Sequence, residues 1–474
     1  MSGLECTEIM LSKINIDNLD FRIDSEYFLK YYLSLEAKLD KININKISDF
    51  AYVTDGIHTS IIFDDNSNIN LLSAKSPKNN IFDLSGNKCI SKNQHIENPR
   101  TRLQKNDIII STVGTIGNVA VVDESILPAN CDRHVGIIRI KNSNYLPYYV
   151  STILNSKYGK FQSNRYTTGN VQPNLFLDKI RLIKIPYISN YFQITITDFV
   201  KKAISLLYEA KNKYKKAEQI LIDELNIKIE NDNNINIKSF NNSFGNSGRL
   251  DAEYYLPKYE DLQKNICKYP KKGNICSIIT LQDKNITPKD NRKYKYIELA
   301  NIDNIGNVID CTEDFGANLP TRARRIVHTG DVIISSIEGS LNKCAVITEE
   351  FDGAFCSTGF FVIKSGIFTA ETLLVLFKSE VLQNLMKKGC SGTILTAISK
   401  EEFEKICIPI LNDNIQQKIT CYIKQSKLLY NQSKLLLEVA KKSVEIAIEQ
   451  NEDSALKYLE EKNNEILNLN KEVI

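Results

Sequence analysis

At 474 residues the chain is long enough for about three average domains, so a single hydrophobic core is not expected. Hydrophobic residues make up 42% and charged residues 25%, which is ordinary for a folded globular protein. The net charge is only +3, so any phosphate-binding face must be a local patch.

Neither the cysteines nor the apolar segments indicate a secreted or membrane protein. The eleven cysteines form no Cys-x-x-Cys pair, which argues against a metal site and against a disulfide framework. The first 30 residues contain several acidic side chains and no apolar core region, so a signal peptide is not expected. No window approaches 18 uninterrupted apolar residues, so we expect no membrane span and a cytoplasmic location.

Near the start of the first half lies the sequence Arg22-Ile23-Asp24-Ser25-Glu26-Tyr27-Phe28. Asp24 is a candidate N-cap of a short helix, with Glu26 in its first turn near the positive helix end. Short β-type runs follow, separated by Gly and Asn turns: Asp107–Ser111, Val119–Val122 and Val135–Ile140. An apolar stripe at helical spacing then predicts a long helix from about Gln193 to Ile227.

The second half follows the same plan. Arg249, Asp251 and Glu253 head an equivalent short segment, with Asp251 as the candidate N-cap. The predicted strands are Asp331–Ser335, Cys344–Thr348 and Phe360–Lys364, and a second long helix starts near Asp413, with a break at Asn451-Glu452-Asp453.

The two halves match at nearly constant spacing, which indicates a tandem duplication. The Arg-x-Asp-x-Glu-Tyr segments lie 227 positions apart, and the strand runs that begin at Asp107 and Asp331 lie 224 apart. Gly169 and Gly392 are separated by 223 positions, as are Pro186 and Pro409, and the same offset continues into the long helices. Neither long helix can bury its apolar stripe alone, so we expect the two to pack antiparallel as a coiled coil.

This organisation resembles the specificity subunits of type I restriction–modification systems. The repeated Arg-x-Asp-x-Glu-Tyr segment, a β-rich domain and a long helix, all present twice, carry the resemblance, together with Asp55-Gly56-Ile57-His58-Thr59 and Tyr296-Ile297-Glu298-Leu299-Ala300-Asn301-Ile302. The resemblance implies an α+β protein with two tandem mixed α/β target recognition domains, separated by the pair of long antiparallel helices.

Each domain would read one half of a split double-stranded DNA site. The predicted domains are 1–187 (N-terminal helix and first target recognition domain), 188–231 (first spacer helix), 232–248 (linker), 249–411 (second target recognition domain) and 412–474 (second spacer helix with a C-terminal extension). A helix of about 30 residues spans about 45 Å, which is enough to reach successive major grooves about 34–36 Å apart.

The resemblance also implies that the chain is a non-catalytic member of a larger complex. Two modification (methylase) subunits would carry S-adenosylmethionine, and separate restriction (motor-nuclease) subunits would use ATP and Mg, so no cofactor is expected on this chain. The sequence agrees, because it contains no Pro-Pro for an adenine-methylase loop, no phosphate-binding Gly-x-x-x-x-Gly-Lys-[Ser/Thr] motif and only four histidines.

DNA contacts are expected from loops rich in Arg, Lys, Asn, Gln and hydroxyl side chains, because these supply phosphate and base-edge hydrogen bonds. The candidates in the first half are Arg100, Thr101, Arg102, Arg133, His134, Arg165, Thr168, Asn170 and Gln172. The candidates in the second half are Thr321, Arg322, Arg324, Arg325, Lys387, Lys388 and Thr393. Surface loops that only solvate the fold are the alternative for any one of them. Because they precede both domains, the repeated Arg22, Asp24, Glu26, Arg249, Asp251 and Glu253 are interpreted as structural.

Three other functions are alternatives at this point. A related bipartite, type IIB-like restriction system would use a recognition subunit of the same appearance, in which nuclease and methylase share one partner chain. A coiled-coil scaffold whose β domains bind protein is the alternative without DNA, and a self-contained methylase would have to transfer a methyl group unaided, which we do not expect.

Overall fold

The computed structural model of the chain describes residues 7–14, 18, 20–142, 144–169, 172–227, 235–392 and 396–468. Its contacts divide the chain into two compact units, which we call unit 1 (residues 1–207 and 430–474) and unit 2 (residues 208–429). Unit 1 is therefore discontinuous in sequence, and each long helix contributes one segment to each unit. None of the described helices is both long and apolar enough for a membrane crossing.

The helices alternate with strands in both halves of the chain. Those of the first half are α1 Leu11–Ile14, α2 Lys30–Leu39, α3 Ile47–Phe50, α4 Lys92–Glu97, α5 Pro147–Asn155, α6 Lys157–Arg165, α7 Leu177–Leu182 and the long α8 Asn190–Leu225. Those of the second half are α9 Phe244–Ser247, α10 Pro257–Lys268, α11 Ile275–Ile278, α12 Ala370–Lys378, α13 Glu380–Gly389, α14 Lys400–Lys405, the long α15 Asp413–Glu449 and α16 Glu452–Asn468.

Unit 1 is built around a four-stranded antiparallel sheet in the order β2-β10-β7-β8. A three-stranded sheet, β6-β3-β9, lies beside it and contains a parallel β3–β9 pair. The strands are β1 Ile44–Lys46, β2 Ala51–Asp55, β3 Asn70–Leu72, β4 Pro77–Lys78, β5 Ile81–Phe82, β6 Lys88–Cys89, β7 Ile108–Ser111, β8 Val119–Val121, β9 Ala129–Cys131, β10 Val135–Ile140 and β11 Lys184–Pro186. β7 and β8 are buried along their whole length, which explains their continuous apolar sequence.

Unit 2 repeats this arrangement with strands β13-β20-β17-β18 in the four-stranded sheet. Its second sheet, β15-β14-β19-β16, again contains one parallel pair, between β14 and β19. The strands are β12 Lys272–Asn274, β13 Thr280–Leu281, β14 Lys293–Ile297, β15 Thr312–Phe315, β16 Ala323–Ile326, β17 Val332–Ser335, β18 Cys344–Val346, β19 Phe355–Ser357, β20 Phe360–Lys364, β21 Cys390–Ser391, β22 Ala397–Ile398 and β23 Cys407–Pro409.

A buried glutamine in each unit makes the duplication visible at the level of single hydrogen bonds. Gln193 accepts a bond from the Leu146 N–H (3.0 Å), and its amide donates to the carbonyls of residues 144 and 188. Gln416 accepts from the Thr369 N–H (3.2 Å), and its amide donates to the carbonyls of residues 367 and 411. All four positions differ by the offset of 223 seen in the sequence, so the two units share one scaffold.

The repeated Arg-x-Asp segment is also used in the same way twice. Arg22 holds Asp24 through two hydrogen bonds (2.7 and 2.8 Å) and donates to the carbonyls of residues 165 and 167. Arg249 holds Asp251 through two bonds (2.8 and 2.6 Å) and donates to the carbonyls of residues 389 and 390. These side chains are therefore engaged in fastening the start of each domain to the end of α6 or α13.

The short helices expected at these segments are reduced to a turn in unit 1 and a 3₁₀ turn, Ala252–Tyr255, in unit 2. The Asp24 carboxylate still accepts a bond from the Tyr27 N–H (3.0 Å), but Asp251 makes no side-chain cap bond. The regular helices begin later, at Lys30 and Pro257. Glu253 is paired with Lys387 instead (3.0 Å).

The long helices pack against each other within each unit, as predicted. In unit 1 the Ser433 hydroxyl donates to the Ala203 carbonyl (2.7 Å), and in unit 2 the Ser426 hydroxyl donates to the Ala210 carbonyl (2.7 Å). The residue number falls along one helix as it rises along the other, which defines an antiparallel pair. The fold class, two mixed α/β domains with two long antiparallel helices, is confirmed.

The C-terminal extension folds back on α15 and belongs to the core of unit 1. Ala455, Leu459 and Ile466 are buried in the same cluster as Phe192 of α8. Near the end of α15, Glu449 accepts bonds from Lys38 (2.7 Å) and from the Tyr158 hydroxyl (3.1 Å), and it pairs with Lys157. Partial burial raises the pKa of this carboxyl, but the three donors outweigh that effect and lower the pKa to about 2.

The predicted linker, 232–248, is only partly described, since residues 232–234 lie outside the described residues. From residue 235 onwards it has no regular structure until α9 Phe244–Ser247, and Gly248 adopts a positive φ of 68°. The predicted domain limits stay predictions, because the compact units divide at residues 207 and 429, inside the two long helices.

Candidate nucleic-acid interface

A cleft of about 350 Å³, lined by both polar and apolar side chains, lies at one edge of the unit 1 sheet. Four segments line it: the end of β2 with Asp55 and His58, Thr112 and Val113 after β7, the turn between β9 and β10, and the loop 172–177. Thr112 connects two of them, because its N–H donates to the His134 carbonyl (3.1 Å) and its carbonyl accepts from the Leu175 N–H (2.9 Å). The end of β7 therefore fixes both the turn and the loop.

The carboxylate at the base of this cleft is neutralised by its neighbours. Arg100 donates to the Asp55 carboxylate (2.6 Å), and His58 Nε2 lies 2.5 Å from the other carboxylate oxygen. Partial burial opposes ionisation, but these two contacts outweigh it and lower the pKa of Asp55. The charged carboxylate therefore has its own cationic partner, which limits its repulsion of an approaching phosphate.

The turn between β9 and β10 presents the polar groups that face the cleft. His134 is fixed by its backbone, since its N–H donates to the Asp132 carboxylate (2.8 Å). Arg133 is exposed, and its Nε lies 3.4 Å from His134 Nε2. Gln172, on the opposite loop, is exposed as well. The structure thus brings together three of the predicted DNA-contacting side chains around one cavity.

Four other candidates of the first half form contacts within the protein: Arg100, Thr101, Arg102 and Arg165. Arg100 also donates to the Thr54 hydroxyl and to the carbonyls of residues 55 and 56, so it holds the loop after β2. Thr101 is 2% exposed and accepts a bond from Asn130 (2.7 Å). Arg102 donates to the carbonyls of His95 and residue 96 at the end of α4. These environments favour structural roles.

Arg165 is the most buried of these arginines, with 7% exposure. It donates to the Tyr27 carbonyl (2.9 Å) and to Glu36 (2.8 Å), and its guanidinium lies over the Tyr27 ring at 4.3 Å. It therefore fastens the N-terminal segment to α6, a role that leaves no free donor fork for DNA.

The loop that contains Gly169 leads into the segment 172–177, which lines the cleft. Thr168 and Asn174 exchange two backbone bonds (3.1 and 2.9 Å) across it. Gly169 has φ of 111°, and a Cβ there would lie 2.7 Å from the Gln172 carbonyl oxygen, so only glycine fits. Asn170 lies outside the described residues. Gly392, at the matching position of unit 2, has φ of 135°.

The Thr-Arg run of unit 2 divides into engaged and free side chains. Arg324 donates to the Thr321 carbonyl (2.9 Å) and to the Thr287 hydroxyl, and Arg325 donates to the Phe360 carbonyl. Burial lowers the pKa of the Arg325 guanidinium. Thr321 and Arg322 are exposed, and the Arg322 guanidinium has no hydrogen-bond or ion-pair partner among the residues that the structure describes.

The remaining candidates of unit 2 lie on α13 and beyond it. Lys387 pairs with Glu253 (3.0 Å) and Glu338 (3.6 Å), and these contacts raise its pKa. Lys388 donates to Gln263 (2.8 Å) and lies 4.9 Å above the Tyr254 ring; burial lowers its pKa. Thr393 falls outside the described residues. Lys387 also borders a shallow cavity of about 310 Å³ with Glu338.

Several residues of the unit 1 cleft were missed as site residues by the sequence analysis. Thr112, Asn174 and Phe176 line the cavity, and Phe176 is 50% exposed. Nothing in the sequence indicated Phe176, because apolar side chains of this size are usually buried and its exposure is seen only in the structure. In the described part of the chain, no group of three or more His, Cys, Asp or Glu side chains could hold a metal ion.

Comparison with known proteins identifies the domain that contains this cleft. Residues 41–219 match the family model of the type I restriction modification DNA specificity domain. That range includes the whole unit 1 cleft and the first part of α8. The predicted resemblance is confirmed, and the same scaffold is repeated in unit 2.

Two of the solved structures that match the chain share little sequence identity with it. The S subunit of a type I restriction–modification system from M. genitalium is 13% identical, with 89% of this chain and 96% of that chain covered and a TM-score of 0.41. An HsdS subunit from Thermoanaerobacter tengcongensis is 13% identical, with 86% and 97% covered and a TM-score of 0.28. The chain matches no curated relative. Because both TM-scores are below 0.5, the domain identification depends on the match to residues 41–219.

Proposed function

We propose that this chain is the DNA specificity subunit of a type I restriction–modification complex, which reads a two-part target and positions methylase subunits on it. The observation that carries the proposal is the match of residues 41–219 to the DNA specificity domain. The repeated scaffold extends the proposal to the second half of the chain. Gln193 and Gln416 make equivalent hydrogen bonds in the two units, and so do Arg22 and Arg249. Two such domains in one chain would recognise two half-sites.

The differences between the units support unequal half-sites. The unit 1 cleft presents Arg133, His134 and Gln172, whereas in unit 2 Arg322 is the exposed and unpaired arginine among the predicted DNA-contacting residues that the structure describes. Because base reading depends on the pattern of donors and acceptors in the groove, different side chains on one scaffold imply different base preferences. The predicted target is therefore a split, asymmetric sequence.

The chain would act without catalysing a reaction itself, in the cytoplasm. S-adenosylmethionine, ATP and Mg would bind to two modification subunits and to the restriction subunits, and this chain would bind none of them. With a net charge of +3, its own attraction to DNA phosphates is weak. Tight binding would therefore require positive surface from the partner subunits as well.

Mapping of methylated adenines across the genome, with and without an intact gene, tests this proposal. Loss of methylation at one split motif is the expected result, and it would give both half-sites and the spacing between them. Unchanged methylation would contradict the proposal, as would sequence-independent DNA binding by the complex assembled with its methylase partners. Restored methylation by the re-supplied gene is the control.

A further inference from the structure

Arg133 differs from every other arginine of unit 1 in how its guanidinium is used. Each of the other six donates to a backbone carbonyl or to a carboxylate within the unit: Arg22, Arg100, Arg102, Arg139, Arg165 and Arg181. Among the described residues, the single contact of Arg133 is the one at 3.4 Å to His134. Arg133 lines the cleft, and in the described part of the chain its terminal Nη donors have no partner.

The backbone that carries Arg133 is held on both sides. β9 pairs with β3 up to Cys131, and β10 begins at Val135, where it pairs with Ser111 of β7. Between them, His134 is bonded to Thr112 through its carbonyl and to Asp132 through its N–H. A fixed backbone positions the side chain and lowers the conformational entropy lost when it binds.

The nearby carboxylates of Asp55 and Asp132 bind other partners and not the Arg133 guanidinium. Asp55 is held by Arg100 and His58, and Asp132 accepts the His134 N–H, with His134 Nδ1 3.5 Å away. An arginine with free parallel donors matches the O6 and N7 acceptors of guanine in the major groove, where it makes two hydrogen bonds at once. Lysine keeps the charge but loses this fork.

Unit 2 carries a different residue at the equivalent position. The Ser336 N–H donates to the Gly359 carbonyl (2.8 Å), just as the Thr112 N–H donates to the His134 carbonyl, so Gly359 corresponds to His134 and Thr358 to Arg133. The N–H of Thr358 donates to the Arg322 carbonyl (2.9 Å). A threonine hydroxyl cannot make a forked contact.

We propose that Arg133 is a specificity-determining residue that reads a guanine in the half-site bound by unit 1, and that unit 2 lacks this contact. The inference rests on the proposed function and adds to it the base and the side chain that recognises it. It predicts that one half of the target contains a guanine whose replacement is tolerated only when Arg133 has been changed.

The test uses the complex purified from its native cell through a tag on this chain, and duplexes in which each base pair of the mapped target is replaced in turn. Arg133→Ala and Arg133→Lys should both lose about 5- to 150-fold discrimination at one G·C pair of one half-site. Preferences elsewhere in the target should be unchanged. Thr358→Ala, at the equivalent position of unit 2, is the matched control and should leave that G·C pair fully discriminated.

Other outcomes would overturn the inference in distinguishable ways. Uniformly weaker binding by Arg133→Ala, with recovery in Arg133→Lys, would mean a phosphate contact and no base reading. An unchanged base preference in both variants would also refute it. A wild-type complex without any sequence preference would overturn the proposed function itself. Because Arg133 is exposed, both variants should keep the wild-type unfolding temperature, which separates a lost contact from a lost fold.

Discussion

The two units contain equivalent buried aspartates with unequal partners, and this difference predicts unequal sensitivity to the same substitution. Asp107 is 1% exposed, and both of its oxygens accept bonds from Arg139 (2.8 and 2.7 Å), with a further bond from the Gln104 N–H. Asp331 is 0% exposed and accepts from the His328 N–H (2.8 Å), from Gln282 (3.1 Å) and from Lys364 at 3.4 Å.

Replacement of either aspartate by asparagine turns an acceptor into a donor and removes the charge that balances the cation. The Arg139 side chain is 26% exposed, so it can regain only part of its hydration. Asp107→Asn should therefore lower the free energy of unfolding by about 2–3 kcal/mol, which is low for the loss of one partner of a buried ion pair. The Lys364 side chain is 52% exposed and can turn into water. Asp331→Asn should cost only about 1–2 kcal/mol.

Hydrogen exchange of the full chain, followed by mass spectrometry, measures the two effects separately. Peptides that contain β7 report on Asp107→Asn, and peptides that contain β17 report on Asp331→Asn. Exchange should accelerate roughly 30- to 150-fold in β7 and roughly 5- to 30-fold in β17. Asp261→Asn, on an exposed residue, is the control and should change neither. An equal or larger effect in β17 would refute the argument from partner exposure.

Three further substitutions test contacts described above. Glu449→Gln should destabilise the chain by about 2–3 kcal/mol at pH 7. Because the folded pKa of this carboxyl is about 2, its stabilisation of the fold is complete above about pH 4.5 and declines below that pH. Urea titrations should therefore show the difference in unfolding free energy between wild type and variant narrowing by pH 3. Gln193→Leu and Gln416→Leu should each cost about 1–3 kcal/mol, since each leaves one N–H and two carbonyls unpaired, and markedly unequal costs would argue against an equivalent scaffold. Ser433→Val should lower the unfolding temperature more than Ser433→Ala, because the extra methyl groups overpack a site where Ser433 is only 2% exposed. A larger loss in Ser433→Ala than in Ser433→Val would count against close packing of the two long helices at Ser433.

The architecture was predictable because duplication and periodicity are properties of the sequence itself. The strands Val135–Ile140 and Phe360–Lys364 were predicted with the bounds that the structure has. The start of each domain was harder, because the choice between a helix cap and an arginine clamp depends on carbonyls that lie about 140 residues away, such as those of residues 165 and 389.

The candidate site could be predicted only as a set of residue types. Arg100, Arg102 and Arg165 have the composition of DNA-contacting residues, but their donors are used by carbonyls and carboxylates that tertiary folding brings to them. Arg133 has the same chemistry and differs only in lacking such partners among the described residues. Residue type therefore indicates which side chains are able to bind DNA, and the tertiary hydrogen-bond network indicates which of them are available.

The discontinuity of unit 1 has a consequence for synthesis of the chain. Residues 208–429, which form all of unit 2, are synthesised before the second segment of unit 1. Leu436, Ala440 and Ala455 belong to the core that also contains Phe192, so until they are made the apolar face of α8 in unit 1 stays open. The domain encoded first is thus the last that can be completed, and a translation product that stops before residue 430 would contain a whole unit 2 beside an unfinished, aggregation-prone unit 1.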